Sequence, residues 1–566
     1  MSFFDDASLA FLPSGAAGKD GKAYSIKPTD GTGDFTFSRG SNLAATRVGP
    51  TGLIEKGREN LLLQSNQFDT TWSKTLSSVI GNQSGYNGSN DAWKMISGAS
   101  GTYSIVSQNY SGSGVHTLSL YAKAAEWNYI ALFINGSAGA SKGAIFDLTT
   151  GELTNTIFGS PISYSSNSIG DGWWRLSVTL TGTITGANIY LCEVGTSHTS
   201  NNNDGSSGIY IQDAQLEIGL AATDYIESGA TTGKAGLLED EPRFDYSGGA
   251  TCPSLLLEPS RSNVLPYSEY FSASDWINNG VTITDNAAIS PEGKTNAALL
   301  TGVSGGFGIV KFSTWTATNK VASCFAKSGT GNIFKIANVS AANRYVLFDL
   351  SDGTISEEST GWTGSIEDFG NGWYRCTAIS NNETGTFSLG TTAASDSVYI
   401  YGAQLEAGSY PTSYIPNHSG TGSVTRGLDV ISKDLTSVIN NNQMTMFVDV
   451  KSLTSITTII AADGFGDLRW YHQAGNRFRF YKIDDADWLT NSFVVNDGDK
   501  IALTLTDTQA KLFVNGAQVG TTFTLTTSFQ NFSNLNYNVG SSKNEWNQLL
   551  FFSTPLSDAD CITLTT

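Results

Sequence analysis

Cysteine is nearly missing from this 566-residue chain: five residues, Cys192, Cys252, Cys324, Cys376 and Cys561, stand far apart. That spacing excludes a CxxC metal knuckle and a small scaffold stapled by disulfides. An odd, thin set suits a reducing compartment, where thiols serve as small apolar residues. Histidine is as scarce, and His116, His198, His418 and His472 show no pairing of the kind a zinc site uses. Proline is sparse at 12, and charged residues make up only 15% of the chain. Base is the shorter side, 32 Lys and Arg against 51 Asp and Glu, a net charge of −19 with no basic stripe. A protein that neutralises phosphates needs a local cationic surplus, so no nucleic-acid partner is expected. The acidity reads as solubility. No apolar run approaches the roughly 18 residues that span a bilayer, so membrane insertion is not expected. Met1 to Leu12 carries Asp5 and Asp6 without a basic start and does not read as an export signal.

What is present instead is glycine (61), aromatics at 11%, and many Ser, Thr and Asn residues between short β-branched and aromatic runs. That is the makeup of an all-β protein with tight turns. The length predicts three or four domains.

Self-similarity organises the first three quarters. Asn60-Leu-Leu-Leu-Gln-Ser-Asn-Gln-Phe68 with Trp72 returns as Asn263-Val-Leu-Pro-Tyr-Ser-Glu-Tyr-Phe271 with Trp276. Ser119-Leu-Tyr-Ala-Lys123 returns as Ser323-Cys-Phe-Ala-Lys327, and Phe146-Asp-Leu148 as Phe348-Asp-Leu350. Gly172-Trp-Trp-Arg175 returns as Gly372-Trp-Tyr-Arg375. Ala214-Gln-Leu-Glu217 with Tyr225-Ile226 returns as Ala403-Gln-Leu-Glu406 with Tyr414-Ile415. The order is kept while the spacing shrinks, as when loops vary and strands do not. Two copies of one domain follow, at 60–228 and 263–418. Asn135-Gly136, Asp171-Gly172, Asn279-Gly280, Asp352-Gly353 and Asn371-Gly372 mark type I′ hairpins. Many short antiparallel strands in a unit of this size predict a two-sheet sandwich.

A shorter echo precedes each copy: Phe35-Thr-Phe-Ser-Arg39 to Asn60, and Pro242-Arg-Phe-Asp-Tyr246 to Asn263. A third trace, Ser423-Val-Thr-Arg-Gly427, follows the second copy. Segments 35–59 and 229–262 are read as structured connectors. Residues 1–34 precede the first echo. The remainder, 419–566, alternates in Met444-Thr-Met-Phe-Val-Asp-Val450 and Lys500-Ile-Ala-Leu-Thr-Leu505, and enters an Asn-Gly turn from Lys511-Leu-Phe-Val514.

Those last strands, with the closing Leu-Leu-Phe-Phe…Pro-Leu-Ser-Asp-Ala-Asp (549–560), resemble the laminin-G/concanavalin A-like sandwich. Gly33-Asp-Phe-Thr-Phe-Ser-Arg-Gly-Ser41, Gly172-Trp-Trp-Arg175 and Tyr401-Gly-Ala-Gln-Leu-Glu-Ala-Gly-Ser-Tyr410 resemble bacteriophage virion proteins with carbohydrate-binding-module-like jelly rolls. The resemblance implies an all-β chain of two tandem jelly rolls followed by a concanavalin A-like sandwich. It implies a head-fibre, tail-fibre or appendage component that binds host-surface glycan. It implies location in the virion, attachment to other virion proteins through the N-terminal segment 1–34, and a homo-oligomer. Three chains are the habit of such appendages, although no coiled-coil heptad enforces that number here. A polysaccharide-degrading virion enzyme is the alternative, and a purely stabilising virion protein is the third reading.

Sugar rings stack on flat aromatic faces while their hydroxyls meet amides and carboxylates. Trp470, Tyr471 and Trp488, beside Asp485 and Asp487, are therefore candidate glycan contacts, against the alternative that one ring of the Trp470–Tyr471 pair is core. Trp127 and Tyr129 are further candidates, as are Trp315 and Trp362. Trp72 and Trp276 read as core plugs. The pairs Trp173–Trp174 and Trp373–Tyr374 should each send one ring inward and one outward. No metal site is assigned. The resemblance makes a structural Ca²⁺ the one cofactor to look for, yet Gln212 and Tyr401 stand where an acidic ligand is usual. Asp147 and Asp349 fit turn acceptors as well. No Gly-x-Ser-x-Gly elbow, His-Glu-x-x-His or Walker loop is present. Glu217 and Glu406, which recur in Ala-Gln-Leu-Glu, are assigned to folding or docking rather than acid catalysis. The chain is expected not to be an enzyme.

Overall fold

A computed structural model describes residues 2–15, 18–19, 21–40, 43–303, 308–311, 319–339, 344–380, 385–436, 438, 443–454, 458–462, 469–473, 477–481, 494–524, 534–538 and 543–566. The chain is nearly all β, with two short α-helices, Phe3–Asp6 and Asp558–Thr565, among the described residues.

In the first module two long strands, Ser104–Ala124 and Trp173–Cys192, run antiparallel and tie both layers into one ten-stranded sheet. Their pairing shifts register between Asn109 and Gly112, where Gly112 and the left-handed Gly114 and Gly182 let the ribbon turn from one layer to the other. In the second module the matching strands, Gly308–Lys311 with Lys320–Ser328 and Trp373–Ser380 with Phe387–Gly390, fall into two six-stranded sheets. Each module closes over its own core. Leu118, Leu120, Ile130, Leu132, Phe146 and Ile189 fill one; Phe334, Ile336, Val346, Phe348, Leu389 and Leu405 fill the other. Trp72 and Trp276 are buried, and each indole N–H donates to a loop carbonyl, of Gln64 and Tyr267. They plug the cores as predicted.

The duplication extends to buried polar atoms. Asn60 Nδ2 donates to the carbonyls of Ala214 (3.0 Å) and Ile226 (2.9 Å), and Asn263 Nδ2 to those of Ala403 (3.0 Å) and Ile415 (2.9 Å). Each leading strand pairs with a trailing one: Arg58–Asn60 with Gly233–Ala235, and Arg261–Asn263 with Val424–Arg426. The modules are thus clasped where the chain comes in and goes out.

The third sandwich differs from the expected 419–566 unit. Its first sheet holds Arg243–Asp245, Ser254–Leu257, Lys543–Phe552, Met444–Thr454, Lys500–Leu505, Gln509–Val514 and Ala517–Thr524, and Leu9–Phe11 pairs beside Lys543–Phe552. Its second sheet takes Phe35–Ser38 against Val430–Asp434. Leu9, Phe11, Phe35, Phe37, Phe244 and Leu255 lie in its core. The stretch read as an attachment segment, and parts of both stretches read as connectors, are therefore strands of this body. The alternation Phe35-Thr-Phe37-Ser, buried then exposed, was a strand signal all along.

Where the three sandwiches meet, arginines of all three echoed segments converge. Arg243 Nη1 reaches Glu258 Oε2 (2.6 Å) and its Nη2 bonds Asp429; Arg426 Nη1 is 2.8 Å from Glu258 Oε2; Arg39 Nη1 is 3.4 Å from Asp429 Oδ1. All five side chains are buried, and the Nε atoms of the three arginines find no partner among the described residues. Burial, and the like charges of Arg243 and Arg426, together outweigh Asp429 and pull Arg39 down to about 10. A second junction joins the modules. Ile54 packs on Phe325, Trp373, Tyr401 and Tyr414 of the second module, and Lys56 meets Glu292 (2.7 Å) and Glu269 (3.1 Å). The segments read as structured connectors, 35–59 and 229–262, carry Arg39, Lys56, Arg243 and Glu258 of these junctions.

Candidate functional site

The outer face of the back layer in the first module is built of rings. Directly opposed residues share a face, so the register sets Tyr129 beside Cys192, Ala131 between Ile145 and Tyr190, and Phe133 between Gly143 and Asn188. Tyr129, Phe133 and Tyr190 thus point away from the core that Ile130, Leu132 and Ile189 fill. Two loops bring further rings over this floor and cover Phe133 (4% exposed) and Tyr190 (9%), leaving Phe158, Tyr129 and His198 with open surface. Phe158 lies 6.0 Å from Phe133, edge-on, and His198 lies 4.8 Å from Tyr190, also edge-on. Phe158 is 72% exposed, on a residue with φ +55°. A large apolar ring held out in a left-handed conformation is costly on both counts.

The rim is polar. Asn135 and Asn188 are paired by their amides at 2.9 Å. The loop bearing His198 is tied to the edge strand Leu153–Ile157 by Thr154 Oγ1 to Gly195 O (2.7 Å) and Asn155 Nδ2 to Thr196 O (2.7 Å). Lys142 Nζ donates to Ser160 O at 2.9 Å, next to the loop of Phe158. Burial holds the His198 ring below its ordinary pKa, so it is neutral near pH 7. Phe158, Tyr129 and His198 offer ring surface beside neutral amides, the chemistry that takes the apolar side of a pyranose and its hydroxyls.

The second module tests whether the fold needs those rings. Tyr129 and Ile333 both pair with the repeated aspartate, Asp147 or Asp349. Counting along the same strands, Phe133 matches Ala337 and Tyr190 matches Gly390. The face there carries Lys335, and Tyr345 in place of Gly143, its hydroxyl donating to Glu357 at 2.6 Å. The same scaffold folds without Tyr129, Phe133 or Tyr190.

Of the residues singled out from sequence, Tyr129 sits on this patch. Trp127 does not: it is 8% exposed and packs in the module core, a correction to its reading as a contact. Trp362 is likewise core. Trp470 and Tyr471 lie on the strand Arg469–Gln473, but their side chains, like Asp485, Asp487, Trp488 and Trp315, lie outside the described residues. Trp173 and Trp373 are both buried, the latter against Ile54, while Trp174 and Tyr374 lean on the module cores. No ring of these pairs stands free, because the outer face is covered. Sequence reasoning passed over Phe133, Tyr190 and Phe158. The signal was Tyr129-Ile-Ala-Leu-Phe-Ile134, a strand apolar on both faces.

The carboxylates read as tempting acids are braced. Glu217 accepts from Gln215 Nε2 (2.7 Å), Thr223 N (2.9 Å) and Thr223 Oγ1 (2.6 Å), and Glu406 repeats this with Gln404 and Thr412. Asp147 and Asp349 accept from the backbone N–H two residues on, as turn acceptors do. Among the described residues no three His, Cys, Asp or Glu side chains gather as a metal site.

No family model and no curated protein matches this chain. Among solved structures it is similar to the tandem CBM22-1–CBM22-2 domain of Paenibacillus barcinonensis Xyn10C, at 10% identity and a TM-score of 0.20, over 66% of this chain and 100% of that one. It is also similar to the LG1-3 region of the laminin alpha2 chain, at 10% identity and a TM-score of 0.11, over 81% and 97%. Likeness at that level carries no argument about function. The chain is, by its own strands, an all-β protein of multiple sandwiches, two of them copies of one module.

Proposed function

We propose that this chain is a non-catalytic adhesion protein whose first module binds saccharide on the ring-lined outer face. One observation carries the reading: Phe158 and Tyr129 keep ring surface at the outer face, over a covered floor of Phe133 and Tyr190 that the copy replaces with Ala337 and Gly390, so the rings are not a requirement of the fold. The bracing of Glu217 and Glu406 favours binding over hydrolysis, because a catalytic acid must reach substrate. The finer reading, an appendage of a bacteriophage particle that attaches to host glycan and assembles from several copies, is supported by the motif resemblance of the sequence. The ion-paired junctions suit a stiff projecting array.

A glycan array with the full chain tests the proposal. Phe158→Ala and Tyr129→Ala should each abolish the strongest signal; Phe158→Ala, at a ring 72% exposed, should leave thermal unfolding in place, and Tyr129→Ala, at a half-buried ring, should lower its midpoint only slightly. Retained binding in both variants overturns the site. New reducing ends from any bound polysaccharide overturn the non-catalytic reading.

A further inference from the structure

A second concavity lies far along the chain from those rings. The hairpin Glu367–Asn371 of the second module faces Val48–Gly52 and Tyr246–Gly249, enclosing about 450 Å³. That is within the range of about 300–1,000 Å³ typical of ligand sites. Its walls are fixed. Tyr246 N donates to Val48 O (3.0 Å), Val48 N to Asp245 Oδ1 (2.8 Å), and Ser247 N to Asp245 Oδ2 (3.0 Å). Across the groove Phe369 N donates to Trp373 O (2.8 Å), Gly370 N to Asp368 Oδ1 (2.7 Å), and the Phe369 ring stands edge-on to Phe325 at 4.9 Å.

The lining is selective. Tyr246 and Phe369 present half-buried rings, Glu367 and Asp368 present exposed carboxylates, and no lysine or arginine lines the groove. Left-handed Gly248 and Gly249 leave the wall beside Tyr246 without side chains. The repeat again serves as a control: in the first module the hairpin at this place carries Ile169, 43% exposed, where Phe369 stands. We infer that this groove is a separate binding site for an amino-bearing saccharide, its ring against Tyr246 and its ammonium groups against Glu367 and Asp368.

Titration of the full chain by calorimetry, at mildly acidic pH, tests this with three probes: a glucosamine tetramer, its N-acetylated counterpart, and tetralysine. The glucosamine tetramer should bind more tightly than the other two. The double variant Glu367→Gln/Asp368→Asn should weaken it about tenfold, since two exposed ion pairs are lost. Tyr246→Ala should weaken it as well. Glu227→Gln/Glu239→Gln, which removes the same charge from exposed positions outside the groove, should leave it unchanged. Equal loss in that control, equal binding of tetralysine, or no preference over the acetylated probe overturns the site. Phe158→Ala should not alter this binding, so the two sites stand or fall separately.

Discussion

Glu258 Oε2 lies 2.6 Å from Arg243 Nη1, and neither side chain has any exposure. Burial alone would raise the Glu258 pKa; the charges of Arg426, Arg243 and Lys543 and a hydrogen bond from Ser413 outweigh it and hold the group well below the carboxylate range. Ionised Glu258 is therefore a fixed part of the junction. Glu258→Gln leaves Asp429 as the one carboxylate in ion-pair distance of the three buried arginines among the described residues, and breaking a buried pair costs about 3–5 kcal/mol. The midpoint of urea unfolding should fall accordingly. Glu126→Gln, which breaks the 2.6 Å pair with Lys94 at a half-exposed carboxylate, should cost less than about 1 kcal/mol.

Acid stability should carry the same signature elsewhere. Burial opposes ionisation of Glu545, but Lys543 and Lys451 prevail and bring it to about 2; Lys56 and Arg58 do likewise for Glu292, also to about 2. Both folded values lie below the unfolded one, so their contribution is present above about pH 4.5 and lost as pH falls toward 2. Unfolding followed by intrinsic fluorescence should show stability dropping through that window.

Asp213 should behave in the opposite sense. Burial, with a smaller push from Asp91, raises it from 3.8 to about 6, against the hydrogen bond from Tyr86. Its folded state holds the proton more firmly, so stability falls as pH rises from about 4 through 6. A displacement of that size corresponds to about 3 kcal/mol at neutral pH. Asp213 has φ +56°, a conformation asparagine tolerates. Asp213→Asn should thus raise the melting temperature at pH 7.5 and leave it unchanged at pH 4.

What could be read in advance was what is local. Asp171-Gly172 and Asn371-Gly372 do adopt two left-handed residues each, as Asn-Gly and Asp-Gly turns in hairpins should. Asn279-Gly280 and Asp352-Gly353 have only the glycine left-handed, and Asn135-Gly136 has neither: Gly136 is extended, and the turn is made by the 3₁₀ segment Ser137–Gly139. The composition of the third sandwich was hidden because pairing carries no local mark. Ser8 hydrogen-bonds Ser553, 545 residues away, and no periodicity names such a partner. The ring patch was half hidden for a related reason. Trp127 and Tyr129 are both aromatic, but Trp127 lies in the turn before the strand Tyr129–Gly136 and folds back into the core, which its spacing from Tyr129 does not show.

That hidden pairing makes the N-terminus structural. Leu9–Phe11 lies along Leu549–Phe551, and Phe11 is fully buried with Phe35 at 5.2 Å. Phe11→Ala should cost about 3–5 kcal/mol in the third sandwich. Limited proteolysis should then cut within 430–566 while the two modules persist. Uniform resistance would mean the strand is not needed.

The matched asparagines offer a test of the duplication itself. Besides their two donated bonds, Asn60 Oδ1 accepts from Leu62 N and Leu216 N, and Asn263 Oδ1 from Leu265 N and Leu405 N. Each residue thus satisfies four buried backbone groups between the start of its module and the last strand. Alanine in its place leaves those groups unpaired in a site closed to water, and each such group costs about 1–3 kcal/mol before relaxation. Neighbouring backbone will recover part of that, so a loss of about 3 kcal/mol is expected for Asn60→Ala and the same for Asn263→Ala. Hydrogen exchange should localise each loss: faster exchange at Leu62 and Leu216 in the first variant, at Leu265 and Leu405 in the second, with the other module unmoved. Two modules that fold around separate interiors require that independence. If either substitution loosens both sets of amides equally, the repeated halves share one cooperative unit, and the ring patch cannot then be probed apart from the body that carries it.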